Sequence, residues 1–495
     1  MENIISALQC ILSPATVGLM LIGLTMGIIM GAIPGLGGGI GITLMLPLTF
    51  KMDSTTAIAF LMAISVGGIS GGYIGSVLLG IPGDTTSLST VLDGYPMTKK
   101  GETVRALSVC TVCNYLATVP SILLAMFASP LIASIAVKLG PWEFFGLCVF
   151  ALSMIISLSK QNIFKGLIAM GLGFVFSSIG TDPLGGIKRF TFGSYQLSSG
   201  LNIVSVMLGL FAGCSILMEF ARGGSSTLSE TIKISRFKWP GKDLLANKLN
   251  IVRSWIIGAV IGFLPGMGAT LANVVAYAQA KSASKHPEEF GKGSVEGVIA
   301  PETANNASIG GALIPLLSLG IPGDGNTALL LAALTIQGVQ AGPLMIRNYP
   351  VLVYVCYIAA LVAATDVFLV EILGMPVFPA LLKIPYHYLY PAIIALIFLG
   401  AYVNTSNMFG IYSMVFLALF GVLLNFCEIP GTPFMLSFVL GNMIETYLRR
   451  GLSYAGWTSF LSRPVSCIFI ICAVISILWA LLAPIIKKNQ KNQPV

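Results

Sequence analysis

Four Pro-Gly motifs interrupt apolar segments of the chain, and their residues are the ones best suited to bind a small polar solute. They read PGLGG at 34–38, IPGD at 81–84, PGMG at 265–268 and IPGD at 321–324. Proline lacks an N–H, and glycine costs about 1 kcal/mol relative to alanine inside a helix, so each motif predicts a break. At membrane depth a break survives only where protein or a water-filled cavity satisfies the freed amides and carbonyls. The N-terminus of a half-helix after such a break is suited to an anion.

The motifs recur in the same order, which predicts two related halves. GAIPGLGGGI around Pro34 matches GFLPGMGATL around Pro265, and GGYIGSVLLGIPGD ending at Asp84 matches GALIPLLSLGIPGD ending at Asp324. The second half has nine more residues between its motifs, and we assign them to the polar loop SASKHPEEFGKGS. Single breaks are common as hinges or close contacts in transmembrane bundles. Matched breaks in two halves instead indicate the binding site of a secondary transporter.

Asp84 and Asp324 are the charged residues of these motifs. An ionised carboxylate inside a bilayer is costly and usually marks a functional pathway. Two roles are open, because the aspartates could cap their half-helices or could bind a coupling Na⁺ or carry a coupling H⁺. A carboxylate beside a bound anion would repel it, so we expect one of these two roles and not direct substrate binding. Further candidates for a cation are Asp93, Glu302, Asn305 and Asn306.

Composition decides what kind of molecule presents these motifs. Of the 495 residues, 56% are hydrophobic and only 9% are charged, whereas soluble proteins carry charge at about a quarter of positions. Apolar runs of about 20 residues recur along the chain, which predicts ten to twelve transmembrane helices. The net charge of +8 is explained by Lys and Arg in cytoplasmic loops, so we expect a lipid bilayer and no nucleic acid as partner. The expected fold is an all-α integral membrane protein with broken or re-entrant helices in two inverted repeats.

The predicted organisation follows from charge. Residues 1–221 form the first transmembrane repeat, residues 222–253 a basic cytoplasmic linker, residues 254–460 the second repeat, and residues 461–495 an extra helix with a basic tail. The first ten residues contain no Lys or Arg, which favours an outside N-terminus and an odd number of crossings in the first half. An odd number of crossings inverts the second repeat.

Three other functions are weighed against transport by a carrier. An intramembrane aspartyl protease could use Asp84 and Asp324, but the Tyr-Asp and Gly-x-Gly-Asp motifs of such enzymes are missing from the sequence. A primary pump would need a GxxxxGK[ST] phosphate loop, which the sequence also lacks. A channel for small polar solutes remains open and would differ from a carrier in showing no saturation.

A family resemblance rests on the motifs themselves. GAIPGLGG, IPGD followed by LDGYPM, HPEEFGKGSVEGVIAPETANNA and GGALIPLLSLGIPGD together resemble the large membrane subunit of the tripartite tricarboxylate transporters. The similarity covers most of the chain in matching order. The segment from His286 to Asp324 is the most specific part.

The resemblance implies a multi-pass permease subunit of the cell (inner) membrane, not an enzyme, that imports di- or tricarboxylates such as citrate. It implies an extracytoplasmic solute-binding protein and a small four-helix membrane subunit as partners. An ion gradient would drive uptake, with Na⁺ or H⁺ as the coupling ion and no other cofactor or metal. The motifs assign the substrate site to Gly35, Gly37, Gly38, Pro82, Gly83, Thr85, Thr86, Ser87, Gly266, Gly268, Thr270, Asn305, Asn306, Gly323, Asn326 and Thr327.

Overall fold

The computed structural model describes residues 2–34, 36–157, 163–221, 234–382 and 386–491, and these residues are mostly helical. The helices of the first half are α1 Glu2–Ile11, α2 Pro14–Ala32, α3 Gly37–Met45, α4 Ser54–Leu79, α5 Thr90–Lys99, α6 Thr103–Ala136, α7 Pro141–Ser157, α8 Ile163–Ser177, α9 Ile203–Met207 and α10 Cys214–Ala221. Short turns of 3-10 helix lie at Leu46–Lys51, Thr85–Ser87 and Gln196–Ser199, and a π-helical turn at Leu208–Gly213 joins α9 to α10. A small antiparallel hairpin pairs β1 Gly180–Thr181 with β2 Lys188–Arg189.

The second half is helical in the same way. Its helices are α11 Gly241–Ala246, α12 Lys248–Phe263, α13 Gly268–Ala283, α14 Glu296–Leu319, α15 Gly325–Ile336, α16 Met345–Asn348, α17 Pro350–Gly374, α18 Phe378–Leu381, α19 Tyr386–Thr405, α20 Met408–Phe426, α21 Gly431–Ala455, α22 Thr458–Ser462 and α23 Pro464–Lys491. Turns of 3-10 helix lie at Pro287–Glu289 and Met375–Val377. A helix ends at each of the four Pro-Gly motifs.

Length and composition identify the segments that can cross a bilayer. Five helical segments in the described part of the chain are long and apolar enough: Pro14–Ala32, Ser54–Leu79, Thr103–Ala136, Pro350–Ala380 and Met408–Phe426. Shorter apolar helices accompany them, among them Pro141–Ser153 and Ile163–Ser177. The prediction of an all-α membrane protein is confirmed. The number of ten to twelve crossings stays a prediction.

Local sequence explains where the central helices begin and end. The Asp53 carboxylate accepts a hydrogen bond from the Thr56 N–H, which caps the first turn of α4. At the other end Gly80 adopts the left-handed conformation, with φ of 71°. Gly320 ends α14 in the same way, with φ of 72°. Only glycine adopts this conformation without steric cost, so the two glycines stop the two helices before the IPGD motifs.

Equivalent helices of the two halves pack by the same contacts. A Cβ added at Gly31 of α2 would lie 2.1 Å from the carbonyl oxygen of Gly68 in α4. A Cβ added at Gly262 of α12 would lie 2.5 Å from the carbonyl oxygen of Ser308 in α14. Gly262 and Ser308 are the positions to which the motif alignment maps Gly31 and Gly68. The small residues therefore allow the same close helix contact to be built twice.

The directions of α6 and α17, which occupy equivalent positions in the halves, are fixed by two contacts. The Tyr115 ring stacks on Phe368 with centroids 4.6 Å apart, and the Tyr357 hydroxyl hydrogen-bonds the Ser129 hydroxyl. From the first contact to the second, the residue number rises along α6 (115 to 129) and falls along α17 (368 to 357). The two helices therefore run antiparallel. Antiparallel equivalents are what an inverted repeat requires, and this contact pattern supports the predicted inversion.

The halves interlock instead of forming separately packed bodies. A Cβ at Gly173 of α8 would lie 1.9 Å from the Ser437 hydroxyl oxygen of α21, and α7 meets α23 where Gly146 faces the Ser466 carbonyl. Helix α12 begins at Lys248, within the stretch predicted as a linker. Of that stretch, residues 222–233 lie outside the described residues. The predicted division at 221 and 254 therefore marks halves of the sequence, whose helices share one core.

Candidate functional site

The candidate site is the region where the four breaks meet. We call it the corner cluster and define it as residues 33–39, 80–87, 264–270 and 320–327. Gly35 lies outside the described residues. In the first half, Asp84 joins the two breaks, because its Oδ2 accepts a hydrogen bond of 3.0 Å from the N–H of Gly38 at the start of α3. Its Oδ1 accepts hydrogen bonds from the Thr85 hydroxyl at 3.0 Å and from the Thr86 N–H at 3.4 Å.

Asp324 does the same in the second half. Its Oδ1 accepts hydrogen bonds from the Thr327 N–H at 2.8 Å and from the Thr327 hydroxyl at 2.7 Å. The Asp324 N–H in turn donates to the Thr327 hydroxyl at 2.8 Å, which completes a capping box. The backbone of Ala269, in the first turn of α13, also hydrogen-bonds this carboxylate. Helix capping is thus the role with direct geometric support for both aspartates, while ion binding stays a prediction.

A left-handed glycine leaves room for each aspartate. Gly37 has φ of +69°, and an added Cβ would lie 3.1 Å from Asp84 Oδ2. Gly268, its equivalent, has φ of +54°, and an added Cβ would lie 2.3 Å from the Asp324 Cβ. Any other residue would be strained at φ values in this range, and its Cβ would crowd Asp84 at position 37 and collide with Asp324 at position 268. Glycine here is required by the geometry that brings two breaks together.

The corner cluster also joins the two halves to each other. The hydroxyls of Thr85 and Thr270 lie 3.2 Å apart. A Cβ added at Gly39 of α3 would lie 2.8 Å from the Asn326 side-chain oxygen of α15. Each contact pairs a first-half break with a second-half break, so all four breaks lie in one region, as the motif pairing predicts.

Exposure divides the predicted site residues into two groups. Those that are exposed or half-buried, and so line the corner cluster, are Gly37, Pro82, Asp84, Thr85, Gly266, Thr270, Asp324 and Asn326. Those that are buried, and so support it, are Gly38, Gly83, Thr86, Ser87, Gly268, Gly323 and Thr327. The first group combines hydroxyl, amide and backbone donors with two capped carboxylates. Such a surface can hold a small polar ligand by hydrogen bonds.

Gly83 and Gly323 illustrate the supporting role. A Cβ added at Gly83 would lie 2.1 Å from the Gly31 carbonyl oxygen, and a Cβ at Gly323 would lie 2.8 Å from the Gly262 carbonyl oxygen. Each glycine therefore lets its break lie directly against the end of the helix that leads into the other break of the same half, α2 or α12. Substitutions at these two positions would test packing and not ligand binding.

The structure places Asn306 in a separate buried network. Its Nδ2 donates to the Asn114 side-chain oxygen at 2.8 Å, and its Oδ1 accepts from the Ser70 hydroxyl at 2.8 Å. This network joins α14 to α6 and α4, because Asn306 lies on the face of α14 that packs against those helices. Asn305 is also fully buried, and neither atom of its amide has a hydrogen-bond partner among the described residues. Neither side chain is exposed enough to line the corner cluster.

Asp93, a further candidate from the sequence, anchors a loop. Its Oδ1 accepts hydrogen bonds from the N–H groups of Gly291, Gly293 and Ser294 at 2.8–2.9 Å, and its Oδ2 accepts one from the Tyr277 hydroxyl at 2.9 Å. The polar loop that carries the nine additional residues of the second half is therefore held by α5 of the first half.

Sequence reasoning missed two residues beside these elements. The Asn273 side-chain oxygen accepts a hydrogen bond of 2.8 Å from the Ser89 N–H, which ties α13 to the start of α5. Glu371 is fully buried in α17. Asn273 carries no distinctive sequence signal. Glu371 does, since it is an acidic residue within an apolar run long enough to cross a membrane.

Comparisons with known proteins decide the family. The sequence model of a protein family, described as "Tripartite tricarboxylate transporter TctA family", matches residues 17–436. The chain belongs to this family. A relative from Agrobacterium vitis, "Uncharacterized 52.8 kDa protein in TAR-I ttuC' 3'region", is 33% identical over 99% of this chain and 98% of its own length. A second, "Uncharacterized protein in TAR-II ttuC' 3'region" from the same organism, is 36% identical over 47% of this chain and 98% of its own length. No match was found among solved structures.

Membership of the TctA family confirms the resemblance drawn from the motifs. The chain is a component of a tripartite tricarboxylate transporter, and the family is one of transporters and not of enzymes. A tripartite system implies partner subunits. The motifs that build the corner cluster all lie within the matched residues.

Proposed function

We propose that the chain is the permease subunit that imports a di- or tricarboxylate, citrate-like in charge and size, and that the corner cluster binds it. The observation that carries the proposal is the meeting of four helix breaks, two from each half, at a partly exposed polar region. Breaks of this kind at the interface of two repeats are typical of the substrate site of secondary transporters.

The chemistry of the corner cluster suits a carboxylate. The helices α3, α13 and α15 each begin there, and the positive end of a helix dipole attracts anions, together with those first-turn N–H groups that the aspartates do not engage. Thr85, Thr270 and Asn326 add side-chain donors at the partly exposed face. The negative charges of Asp84 and Asp324 are already engaged by amide and hydroxyl donors, which reduces their repulsion of a substrate.

The remaining parts of the proposal concern the assembly and its energy source. A solute-binding protein outside the cell (inner) membrane delivers the carboxylate, and a small four-helix membrane subunit accompanies the permease. A Na⁺ or H⁺ gradient drives uptake. The equivalent pairs α2–α4 and α12–α14 provide two similar elements around one site, which is the arrangement that alternating access requires.

The test uses proteoliposomes that contain both membrane subunits, with the binding protein added and labelled carboxylates as substrates. Thr270→Val and Asn326→Leu each remove a donor from the corner cluster, and we expect each to raise the half-saturation concentration about tenfold, the value of one hydrogen bond to a charged ligand. Thr335→Val serves as the matched control, because the Thr335 hydroxyl bonds only within its own helix, to the Leu331 carbonyl. If the half-saturation concentration of uptake is unchanged in both cluster variants, the substrate binds outside the corner cluster. Uptake by the unmodified protein that never saturates would indicate a channel.

A further inference from the structure

A pair of buried glutamates lies outside the corner cluster. Glu302 of α14 and Glu371 of α17 are both 0% exposed, and their carboxyl groups are close enough to interact electrostatically. The motif alignment maps them onto Met62 and Leu131 in the other half. Because neither glutamate has an acidic equivalent in the first half, the pair belongs to the second half alone and does not follow from the repeat.

The hydrogen bonding of the pair is incomplete. The Thr90 hydroxyl donates to Glu302 Oε1 at 2.5 Å, while Glu302 Oε2 has no partner among the described residues. Neither carboxyl oxygen of Glu371 has one either. The hydroxyls of Tyr73 and Thr111 lie beside the Glu371 carboxyl group and are its closest hydrogen-bonding groups, but they also bond each other at 2.8 Å. Buried carboxyl oxygens without partners are rare in folded proteins, and a bound proton, ion or water is the usual explanation.

The surroundings of the pair contain no positive charge among the groups that interact with it. The titratable groups nearest to it are Tyr73 of α4 and Cys110 and Cys113 of α6. Farther along α14, Asp93 of α5 and Tyr277 of α13 bond each other and the 291–294 loop. Two ionised carboxylates without a cation would cost many kcal/mol in this apolar core. A proton on the pair neutralises one carboxylate and so relieves the repulsion between the two.

The donor set favours a proton over Na⁺ as the occupant. Hard metal cations require several oxygen ligands at once. No group of three or more His, Cys, Asp or Glu side chains that could hold a metal occurs in the described part of the chain. Here Glu302 Oε1 already accepts a hydrogen bond from Thr90, and the hydroxyls of Tyr73 and Thr111 bond each other. A proton needs only one free oxygen.

The pair lies between the corner cluster and one end of the bundle. Thr90, which contacts Glu302, begins α5 three residues after the Thr85–Ser87 turn of the cluster. On the other side, Glu371 lies one helical turn before Met375, whose sulfur is 4.0 Å from the Ser108 hydroxyl. That hydroxyl accepts a hydrogen bond from the Lys238 N–H of the basic linker. The pair therefore lies between the corner cluster and the part of α6 that contacts the basic linker.

We propose that Glu302 and Glu371 form the proton-carrying site that couples carboxylate import to the H⁺ gradient. One proton binds to a carboxylate oxygen of the pair in one access state and dissociates from it in the other, with no change in covalent structure elsewhere. This inference rests on the proposed function, since it names the coupling ion and its binding residues.

Transport assays separate the two ideas. In proteoliposomes with the binding protein, an imposed pH gradient should drive accumulation of labelled carboxylate. Glu302→Gln and Glu371→Gln should each abolish that accumulation, because glutamine cannot release a proton. Both variants should still exchange labelled for unlabelled carboxylate, which needs no net proton movement. Glu143→Gln removes another buried carboxyl, one bonded to the Gly140 N–H at the edge of α7, and should accumulate substrate normally.

The outcomes are distinct. If the unmodified protein neither takes up nor exchanges carboxylates, the proposed function fails. If it accumulates carboxylate but both glutamine variants do so equally well under the same pH gradient, or if only a Na⁺ gradient drives it, the proton site fails while the proposed function stands.

A chemical readout covers the case in which a variant does not fold. Dicyclohexylcarbodiimide is apolar and adds to protonated carboxyl groups in apolar surroundings, giving a stable N-acylurea without a leaving group. In the purified membrane complex, mass spectrometry should find the label on Glu302 or Glu371, with less label as the pH rises. Labelling of neither residue at any pH would overturn the inference, because a proton-carrying carboxyl must be protonated in part of its cycle.

Discussion

The same tetrapeptide, IPGD, is used in two ways in this molecule. After Asp324 the chain continues directly into the twelve-residue helix α15, and the carboxylate lies 2.8 Å from the Thr327 N–H in a complete capping box. After Asp84 it forms only the Thr85–Ser87 turn, and the carboxylate lies 3.4 Å from the Thr86 N–H. Packing accounts for the difference: Ser87 also lies three positions after its aspartate, but its hydroxyl bonds the Gly72 carbonyl and the Ser76 hydroxyl instead of closing a capping box.

The two halves of the duplicated scaffold are therefore not structurally equal at their IPGD motifs. Gly31 and Gly262 make similar close helix contacts, but the first-half break lies closer to Gly31 than the second-half break does to Gly262. The turn after Asp84 is the looser one, and its Thr85 side chain is exposed. We therefore expect the second-half corner to act as the firmer support and the first-half corner to adjust more readily to a ligand.

The largest effect should come from filling the space between a break and its backing helix. Gly83→Ala would place a methyl group 2.1 Å from the Gly31 carbonyl oxygen, whereas the nearest atom at Gly323 would be the Ala312 Cβ at 2.7 Å. We expect Gly83→Ala to lower the free energy of unfolding by about 3 kcal/mol and Gly323→Ala by about 1 kcal/mol. Thermal unfolding of the purified protein measures both. Gly171→Ala is the control, since no atom lies within 4 Å of its added Cβ.

An equal loss in Gly83→Ala and Gly323→Ala would contradict the inequality between the halves. A loss in Gly171→Ala of similar size would show that the assay reports helix substitution in general and not the close contacts at the breaks.

A smaller effect is expected from removing the caps. Asp324→Ala deletes the acceptor of a complete capping box, and we expect a loss of about 2 kcal/mol. Asp84→Ala deletes a longer capping bond and the bond from Gly38, and we expect about 1 kcal/mol. Thermal stability of the two variants, with Asp324→Asn as a variant that keeps a side-chain acceptor, gives the comparison. If Asp84→Ala proved the more damaging, the second-half corner would not be the firmer support.

Much of this architecture was readable from the sequence because it depends on backbone chemistry. Proline and glycine end helices wherever they occur in such a pattern, so the four breaks and their pairing follow directly from the motifs. The repeat then predicts that equivalent positions, such as Gly37 and Gly268, share one conformation. Low charge and long apolar runs gave the membrane class for the same reason, since few other environments tolerate them.

The rest depends on which face of a helix meets which neighbour, and one sequence does not determine that. The motifs predict Asn305 and Asn306 as residues of the substrate site, yet the packing of α14 buries both, one of them in a network with Asn114. Glu371 belongs beside Glu302 only because α17 and α14 both pack around α6 and α4. Contacts between residues far apart in the sequence are therefore the part that needed the structure.

The smallest effect concerns the hairpin of β1 and β2, where the halves also differ, because the second-half equivalents of β1 lie in the helix α20. Asp182 accepts hydrogen bonds from the Leu184 and Gly185 N–H groups, and Arg449 of α21 lies 2.7 Å from its carboxylate. Arg449 above all lowers the pKa of Asp182 to about 2. Because the folded-state pKa is depressed, the stabilisation is complete above the unfolded pKa of about 4 and is lost as the pH falls through about 2.

The stability difference between the unmodified protein and Asp182→Asn should accordingly be constant at neutral pH and shrink as the pH falls from about 4 towards 2. Thermal unfolding across a pH series measures it, with Glu289→Gln as a control that removes an exposed carboxylate from the Pro287–Glu289 turn. A difference that is independent of pH would mean that Asp182 acts through the shape of its hydrogen bonds and not through its charge. In that case the hairpin, like the capped helix starts at Asp84 and Asp324, would be stabilised by the geometry of its hydrogen bonds. The charge of the Asp182 carboxylate would then add nothing.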